Sequence, residues 1–85
     1  MGHKRRSESE VVTRNHGMKY RAEYDASNYA IYEGWALDPN IGESDTQWQI
    51  LKHTYDASGN LTESDWADGT DDFVKSWALR STYTY

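Results

Sequence analysis

The strongest constraint on the fold lies in residues 48–66, where two strand-like runs flank a short polar turn. The run Trp48 to Tyr55 leads into Asp56-Ala-Ser-Gly-Asn60, and the run Leu61 to Trp66 leads out of it. Glycine and asparagine tolerate positive φ, and aspartate and serine can bond the backbone of their own turn. The segment therefore predicts a β-hairpin.

The preceding stretch has the same organisation. Residues 18–24 alternate aromatic or small side chains with charged ones, which is typical of a half-buried strand. Residues 25–28 are polar and turn the chain, and residues 29–37 carry apolar side chains at both odd and even positions. This predicts a second strand that is covered on both faces, with a bulge or a close backbone approach at Gly34.

A short internal repeat links the two halves. Tyr24-Asp-Ala-Ser27 recurs as Tyr55-Asp-Ala-Ser58, and the pair Trp35-Ala36 recurs as Trp66-Ala67, in both cases 31 residues later. Six matched positions are compatible with a duplication and also with coincidence, so both explanations stay open. In either case the pattern predicts strand, turn, strand, twice.

The residues after Trp66 predict a short helix from about 71 to 79. Thr70 is a suitable N-cap, and Asp71 with Asp72 would lie at the positive end of the helix dipole. Phe73 and Trp77 have the spacing of one helix face, which would pack on the sheet.

The last residues, 81–85, alternate again and favour a final strand at a sheet edge or between subunits. The expected fold is therefore mainly β: a small antiparallel sheet or sandwich of about five strands in meander order, with one short C-terminal helix. Residues 18–85 form a single small β domain, and residues 1–17 an extended basic N-terminal arm.

The core must be built largely from aromatic rings. The chain has 85 residues, no cysteine, and twelve aromatic side chains, four of them tryptophan. A chain of this size buries a modest core and has no disulfides to support it. The predicted core residues are Trp35, Trp48, Trp66, Phe73 and Trp77.

Three segments are predicted to bind partners. The loop 38–46 is polar except for Ile41, which either packs back on the core or docks on another chain. The C-terminal strand offers tyrosines, which are common interface anchors. The predicted partner-binding residues are Lys4, Arg5, Arg6, Ile41, Tyr83 and Tyr85.

Charge divides the chain into a basic arm and an acidic body. Residues 1–17 hold four basic and two acidic residues, whereas residues 18–85 hold five basic and twelve acidic ones. The arm is either a solvated tail or a segment that orders against an acidic neighbouring subunit. Nucleic-acid binding is unexpected for the acidic body and, if present, would involve the basic arm.

No pattern for catalysis, metal binding or a cofactor is evident. The carboxylates of residues 65–72 lack the order of a calcium loop, and the three histidines lack the spacing of a zinc site. The serines have no nucleophile-elbow context, and there is no phosphate-binding glycine loop. We therefore expect a non-enzymatic protein without metal or cofactor, and the sequence has no apolar run long enough to span a membrane.

Several of these segments together resemble a family of small proteins encoded by tailed bacteriophages. The shared motifs are W-x-I (48–50), Y-D-x-x-G-N (55–60), W-A-D-G (66–69), F-x-x-x-W (73–77) and R-x-x-x-x-Y (80–85). The resemblance covers about residues 20–85, although this chain has Trp77-Ala-Leu-Arg80 where the family usually has Trp-Asp-Asn-Arg.

The resemblance implies a virion structural or accessory protein, made in the cytoplasm of the host bacterium. We expect it in several copies, docked on capsid, neck or tail proteins through its N-terminal arm, the 38–46 loop and the C-terminal strand. Two alternatives stay open. One is a carbohydrate-binding or host-adhesion module displayed on the particle, and the other is an early-expressed protein that binds a host partner.

Overall fold

The computed structural model describes residues 18–85, so the arm 1–17, with Lys4, Arg5 and Arg6, lies outside the described residues. The fold is one antiparallel sheet in meander order, β1-β2-β3-β4. The strands are β1 (Lys19–Tyr24), β2 (Ala30–Ala36), β3 (Trp48–Tyr55) and β4 (Leu61–Trp66). The mainly β prediction is confirmed, with four strands in place of about five.

The C-terminal helix differs in type and position from the expectation. Residues 71–74 are irregular, and the helix is a 3₁₀ segment, Trp77–Thr82, that follows a short 3₁₀ turn at Ala67–Gly69. Lys75 forms an isolated bridge to Trp48, with backbone N to O distances of 2.9 and 2.8 Å. Because these bonds hold Lys75 extended, a helix cannot run through residues 71–79.

The predicted final strand at 81–85 is absent from the described sheet. Instead, the backbone N–H of Asp68 donates to Thr84 O at 2.7 Å, and the N–H of Thr84 donates to Asp68 Oδ1 at 3.0 Å. These bonds hold the tail against the first 3₁₀ turn. Tyr83 and Tyr85 are therefore packed against the core.

The core lies on one face of the sheet, beneath the C-terminal segment. Its buried side chains are Ala36, Ile41, Trp48, Ile50, Ala67 and Trp77. Of the predicted core residues, Trp48 and Trp77 are buried, with ring centroids 5.9 Å apart. Trp35, Trp66 and Phe73 are half-buried, so their assignment to the core is only partly correct.

Ile41 packs back on the core, which is the first of the two alternatives given for it. Its side chain is 6% exposed and belongs to the core cluster, so it offers little area to a partner. The prediction that Ile41 binds a partner is therefore corrected. The 38–46 loop is an element that covers the sheet.

The two hairpins of the repeat have the same local structure. In β1-β2 the Cα partners run from Tyr20↔Trp35 to Glu23↔Tyr32, and adding 31 to each number gives the observed partners in β3-β4. Both pairings also shift register at the same place, between Glu23 and Tyr24 and between Thr54 and Tyr55. The repeat in sequence is therefore a repeat in register.

The two turns match bond for bond. The carboxylate of Asp25 accepts the N–H of Ser27 and of Tyr29, and the carboxylate of Asp56 accepts the N–H groups of the two corresponding residues. The hydrogen bond from the Asn60 backbone, with smaller help from its side chain and from the turn N–H groups, lowers the pKa of Asp56 below 3.8. The aspartates recognised in the sequence thus organise the turns.

The left-handed position of the first turn gives a direct test. Asn28 has φ 68°, and Gly59 takes φ 85° at the equivalent place in the second turn. We expect Asn28→Ala to destabilise the domain by about 1 kcal/mol, because alanine is strained in this region, and Asn28→Gly to be neutral within about 0.5 kcal/mol. Urea denaturation measures both, with exposed Ser27→Ala as the control, and equal midpoints for Asn28→Ala and the wild type would contradict it.

Candidate interaction face

The face of the sheet opposite the core carries a row of aromatic rings. Strand alternation and the pairing register place Tyr20 beside Trp35, and Leu51 beside Trp66, on this face. Ring centroids are 5.7 Å apart for Tyr20 and Trp35, and 6.2 Å apart for Trp35 and Trp66. The row therefore runs across the whole sheet, from β1 to β4.

These side chains are half-buried. Large rings that keep part of their surface in water are typical interface anchors, because binding removes the remaining area. The two tryptophans occupy equivalent positions of the repeat, so the row follows from the hairpin register. We refer to Tyr20, Trp35, Leu51 and Trp66 as the aromatic face.

A chain of polar contacts crosses the same face. Tyr20 Oη donates to Glu33 Oε2 at 2.5 Å, and Glu33 Oε1 lies 2.6 Å from His53 Nε2. His53 Nδ1 lies 2.7 Å from Ser64 Oγ. One residue from each strand takes part, so the chain ties the four strands together.

The contacts Ser64–His53–Glu33 follow the order of a serine hydrolase triad, which raises the question of whether they could catalyse hydrolysis. In hydrolases the serine lies on a sharp turn, where backbone N–H groups stabilise the oxyanion. Ser64 lies in the middle of β4, on a regular strand. We therefore interpret the contacts as a polar ladder that stabilises the sheet.

A cavity of about 520 Å³ opens at the hairpin turns. Tyr29 and Tyr55 stack beside it, with centroids 5.0 Å apart and planes at 23°, and Tyr55 Oη donates to Ala30 O at 2.8 Å. Burial, followed by the nearby negative charges of Glu33 and Asp25, raises the pKa of Tyr55. The phenol therefore stays protonated and keeps its role as a donor.

The predicted C-terminal anchors point inward. The Ser76 N–H donates to Tyr83 Oη at 2.8 Å, and Tyr85 Oη donates to Arg80 O at 2.7 Å. Burial raises the pKa of Tyr85, and the ammonium of Lys52 lies 5.6 Å from its ring centroid. Both tyrosines thus contribute to the fold, and a partner would find only part of their surface exposed.

The sequence missed the residues that form the aromatic face and its polar ladder as a group. The sequence assigns Trp35 and Trp66 to the core because the chain has few other large side chains that could fill the space beneath the sheet. The signal that could have separated them was the offset of 31, which also relates Glu33 to Ser64. Applied as a register, it places both pairs on one face.

Comparison with protein-family models, curated proteins and solved structures finds no match to this chain. Within residues 18–85 no three histidine or acidic side chains are grouped so that they could hold a metal ion. No helix in that part of the chain is long and apolar enough to cross a membrane.

Proposed function

We propose that this chain is a non-enzymatic structural protein of a tailed-bacteriophage virion that binds another virion protein through its aromatic face. The observation that carries the proposal is the row of half-buried rings of Tyr20, Trp35 and Trp66 on the non-core face. It replaces the 38–46 loop and the C-terminal tail as the main binding surface, because Ile41, Tyr83 and Tyr85, the predicted anchors of those segments, pack on the core.

The ring geometry favours a protein partner over a sugar. The planes of Tyr20 and Trp35 are tilted by 49°, and those of Trp35 and Trp66 by 60°. A sugar ring stacks best on a flat aromatic surface, whereas tilted rings leave grooves into which protein side chains can interdigitate. The carbohydrate-binding alternative is therefore ranked second.

The phage part of the proposal is supported by the resemblance of the motifs. In this chain the motif residues hold the fold: Trp48 and Ile50 are buried, residues 55–60 form the second turn, and Arg80 lies over Trp77 with 4.5 Å from its Cζ to the ring centroid. Conserving such residues would conserve a scaffold. Of the aromatic face only Trp66 belongs to these motifs, so its other residues can differ between proteins that share the scaffold and bind different neighbours.

The test is mass spectrometry of purified particles of the phage that encodes the chain. We expect the protein in the mature virion in several copies, and its absence from particles would overturn the proposal. Particles complemented with Trp66→Ser should incorporate less of the protein, because the substitution removes an anchor. Val74→Ser is the matched control, since Val74 is 54% exposed and lies outside the aromatic face.

A further inference from the structure

The outer strands of the described sheet carry opposite charges. Among residues 18–85, β1 and β4 each pair with one neighbour and so form the two edges. Lys19 and Arg21 point to the core face from β1, and Glu63 and Asp65 point to the same face from β4. The first four residues of β4 are exposed, so this edge is accessible.

The chain contains its own template for joining such edges. Strand β2 pairs with β3, which joins the first hairpin to the second, and the partners include Tyr32↔Lys52 and Gly34↔Ile50. Since the hairpins are equivalent at an offset of 31, β4 is the counterpart of β2, and β1 is the counterpart of β3. Strand β4 of one copy is therefore equipped to receive β1 of another.

We propose that copies of this chain associate edge to edge, with β4 of one copy pairing antiparallel to β1 of the next in the register of β2 and β3. Residues of β4 correspond to those of β2 plus 31, and residues of β1 to those of β3 minus 31. The β2-β3 register therefore places Glu63 opposite Arg21, Asp65 opposite Lys19, and Ser64 opposite Tyr20. Opposite charges that face each other across antiparallel strands stabilise the pairing. The result is a sheet that continues from one copy into the next.

Other registers satisfy the charges less well. A shift of two residues in one direction places Glu63 opposite Lys19 but sets Arg21 opposite Leu61, which has no charge. A shift of two residues in the other direction places Asp65 opposite Arg21 but sets Glu63 opposite Glu23. A shift of one residue moves every side chain to the wrong face.

Pairing of two β4 edges is also disfavoured by charge. Two β4 strands centred on Ser64 would set Glu63 against Asp65, and β4 has no basic residue that another register could use. Two β1 strands centred on Tyr20 would set Lys19 against Arg21, whereas centring on Ala22 would set Arg21 opposite Glu23, so charge excludes fewer β1 registers. Like charges that face each other across strands are destabilising. The β4 edge therefore rejects a second β4 edge and is complemented by the basic residues of β1.

The basic groups of β1 can change partners. Arg21 Nη2 lies 3.1 Å from Glu43 Oε2, with the two side chains 44% and 49% exposed, and Lys19 Nζ lies 3.5 Å from Pro39 O. Exposed ion pairs of this kind contribute little to stability. Exchanging them for Glu63 and Asp65 of a second copy therefore costs little.

This pairing is head to tail, so copies form a ring if the rotation closes and a filament if it does not. The inference rests on the proposed function only for the presence of many copies in one particle. The experiments below use the purified chain, so monomeric protein would leave the virion assignment standing, and absence from virions would leave the edge pairing standing.

Sedimentation velocity over a concentration series tests the charge pattern. The full-length wild type should associate with rising concentration, and Glu63→Lys with Asp65→Lys should raise the dissociation constant about tenfold or more. The variant Asp71→Lys with Asp72→Lys is the control, because it changes the net charge equally at exposed residues outside both edge strands. Circular dichroism verifies that each variant is folded.

Charge exchange gives the decisive comparison. A second chain with Lys19→Glu and Arg21→Glu should also lose self-association. An equimolar mixture of the two reversed chains should regain it, because the altered β4 of one then matches the altered β1 of the other. A folding defect cannot produce such rescue.

The register is tested by cross-linking, since the natural chain has no cysteine. A mixture of Ala22→Cys and Thr62→Cys chains, which the register places opposite each other, should form a disulfide-linked heterodimer on mild oxidation. Ala22→Cys mixed with Ser64→Cys, two residues out of register, should form less. A wild type that stays monomeric throughout, a mixture without rescue, or equal yields from the two cysteine pairs would overturn the proposal.

Discussion

Substituting alanine for Trp48 should cost about 3–5 kcal/mol of unfolding free energy, the range found when large buried aromatic side chains are truncated. Trp48 has no exposed surface, and its indole N–H donates to Gly42 O at 3.0 Å. The substitution removes the ring that contacts Trp77 and also leaves the carbonyl of the covering loop without this donor. For a domain of this length, with a total stability of roughly 5–10 kcal/mol, that is a large fraction.

Thermal and urea denaturation followed by far-ultraviolet circular dichroism measure the loss. Trp66→Ala is the matched control, because it removes the same side chain from the opposite, half-buried face. Its cost should be about half as large or less, since less area leaves water on folding. Equal losses for the two variants would mean that the core does not lie on the face assigned to it.

The contrast between these two tryptophans indicates how far the sequence could lead. The hairpins and their turns were predicted because their signals are local: an aspartate that bonds its own turn, a residue that accepts positive φ, and alternation on either side. The 31-residue repeat also reflects the pairing register that the two hairpins share. What alternation could not supply was the side of the sheet that the C-terminal segment would cover, because strand β2 is apolar on both faces.

The helix predicted in the C-terminal segment is wrong for a different reason. Thr70, Asp71 and Asp72 form a sound helix start, yet Lys75 is held extended by its bridge to Trp48. That partner lies 27 residues earlier in the chain, so no local pattern announces it. The tail at 81–85 was misassigned likewise, since its extended pattern is satisfied by contacts with Asp68 and the core in place of a strand.

For Gly34 the sequence predicts a bulge or a close backbone approach, and the structure shows the close approach. A Cβ atom at this position would lie 2.6 Å from Cε3 and 2.9 Å from Cζ3 of Trp77, and 3.2 Å from Cε3 of Trp48. The two rings meet over the glycine at the centre of the core. The sheet must therefore lack a side chain at this point for Trp77 to pack against it.

We expect Gly34→Ala to destabilise the domain by about 1–3 kcal/mol, the usual cost of overpacking, and Gly34→Val by more. Trp77 cannot easily move away, because it is 4% exposed and Arg80 lies over its ring. Urea denaturation measures the change. Gly42→Ala is the control, since the nearest atom to its Cβ would be Asp45 Oδ2 at 3.8 Å, an ordinary contact.

A double-mutant cycle separates this clash from a loss of backbone freedom. Trp77→Phe alone should destabilise the domain, because it removes part of a buried ring. In the Trp77→Phe background, however, Gly34→Ala should cost less than in the wild type, because the smaller ring leaves room for the added methyl group. The coupling between the two changes should be about 1 kcal/mol in the favourable direction, within the range for residues in contact. Additive effects would instead place the cost in the backbone of β2, and the close approach of Trp77 would then not be what requires a glycine at this position.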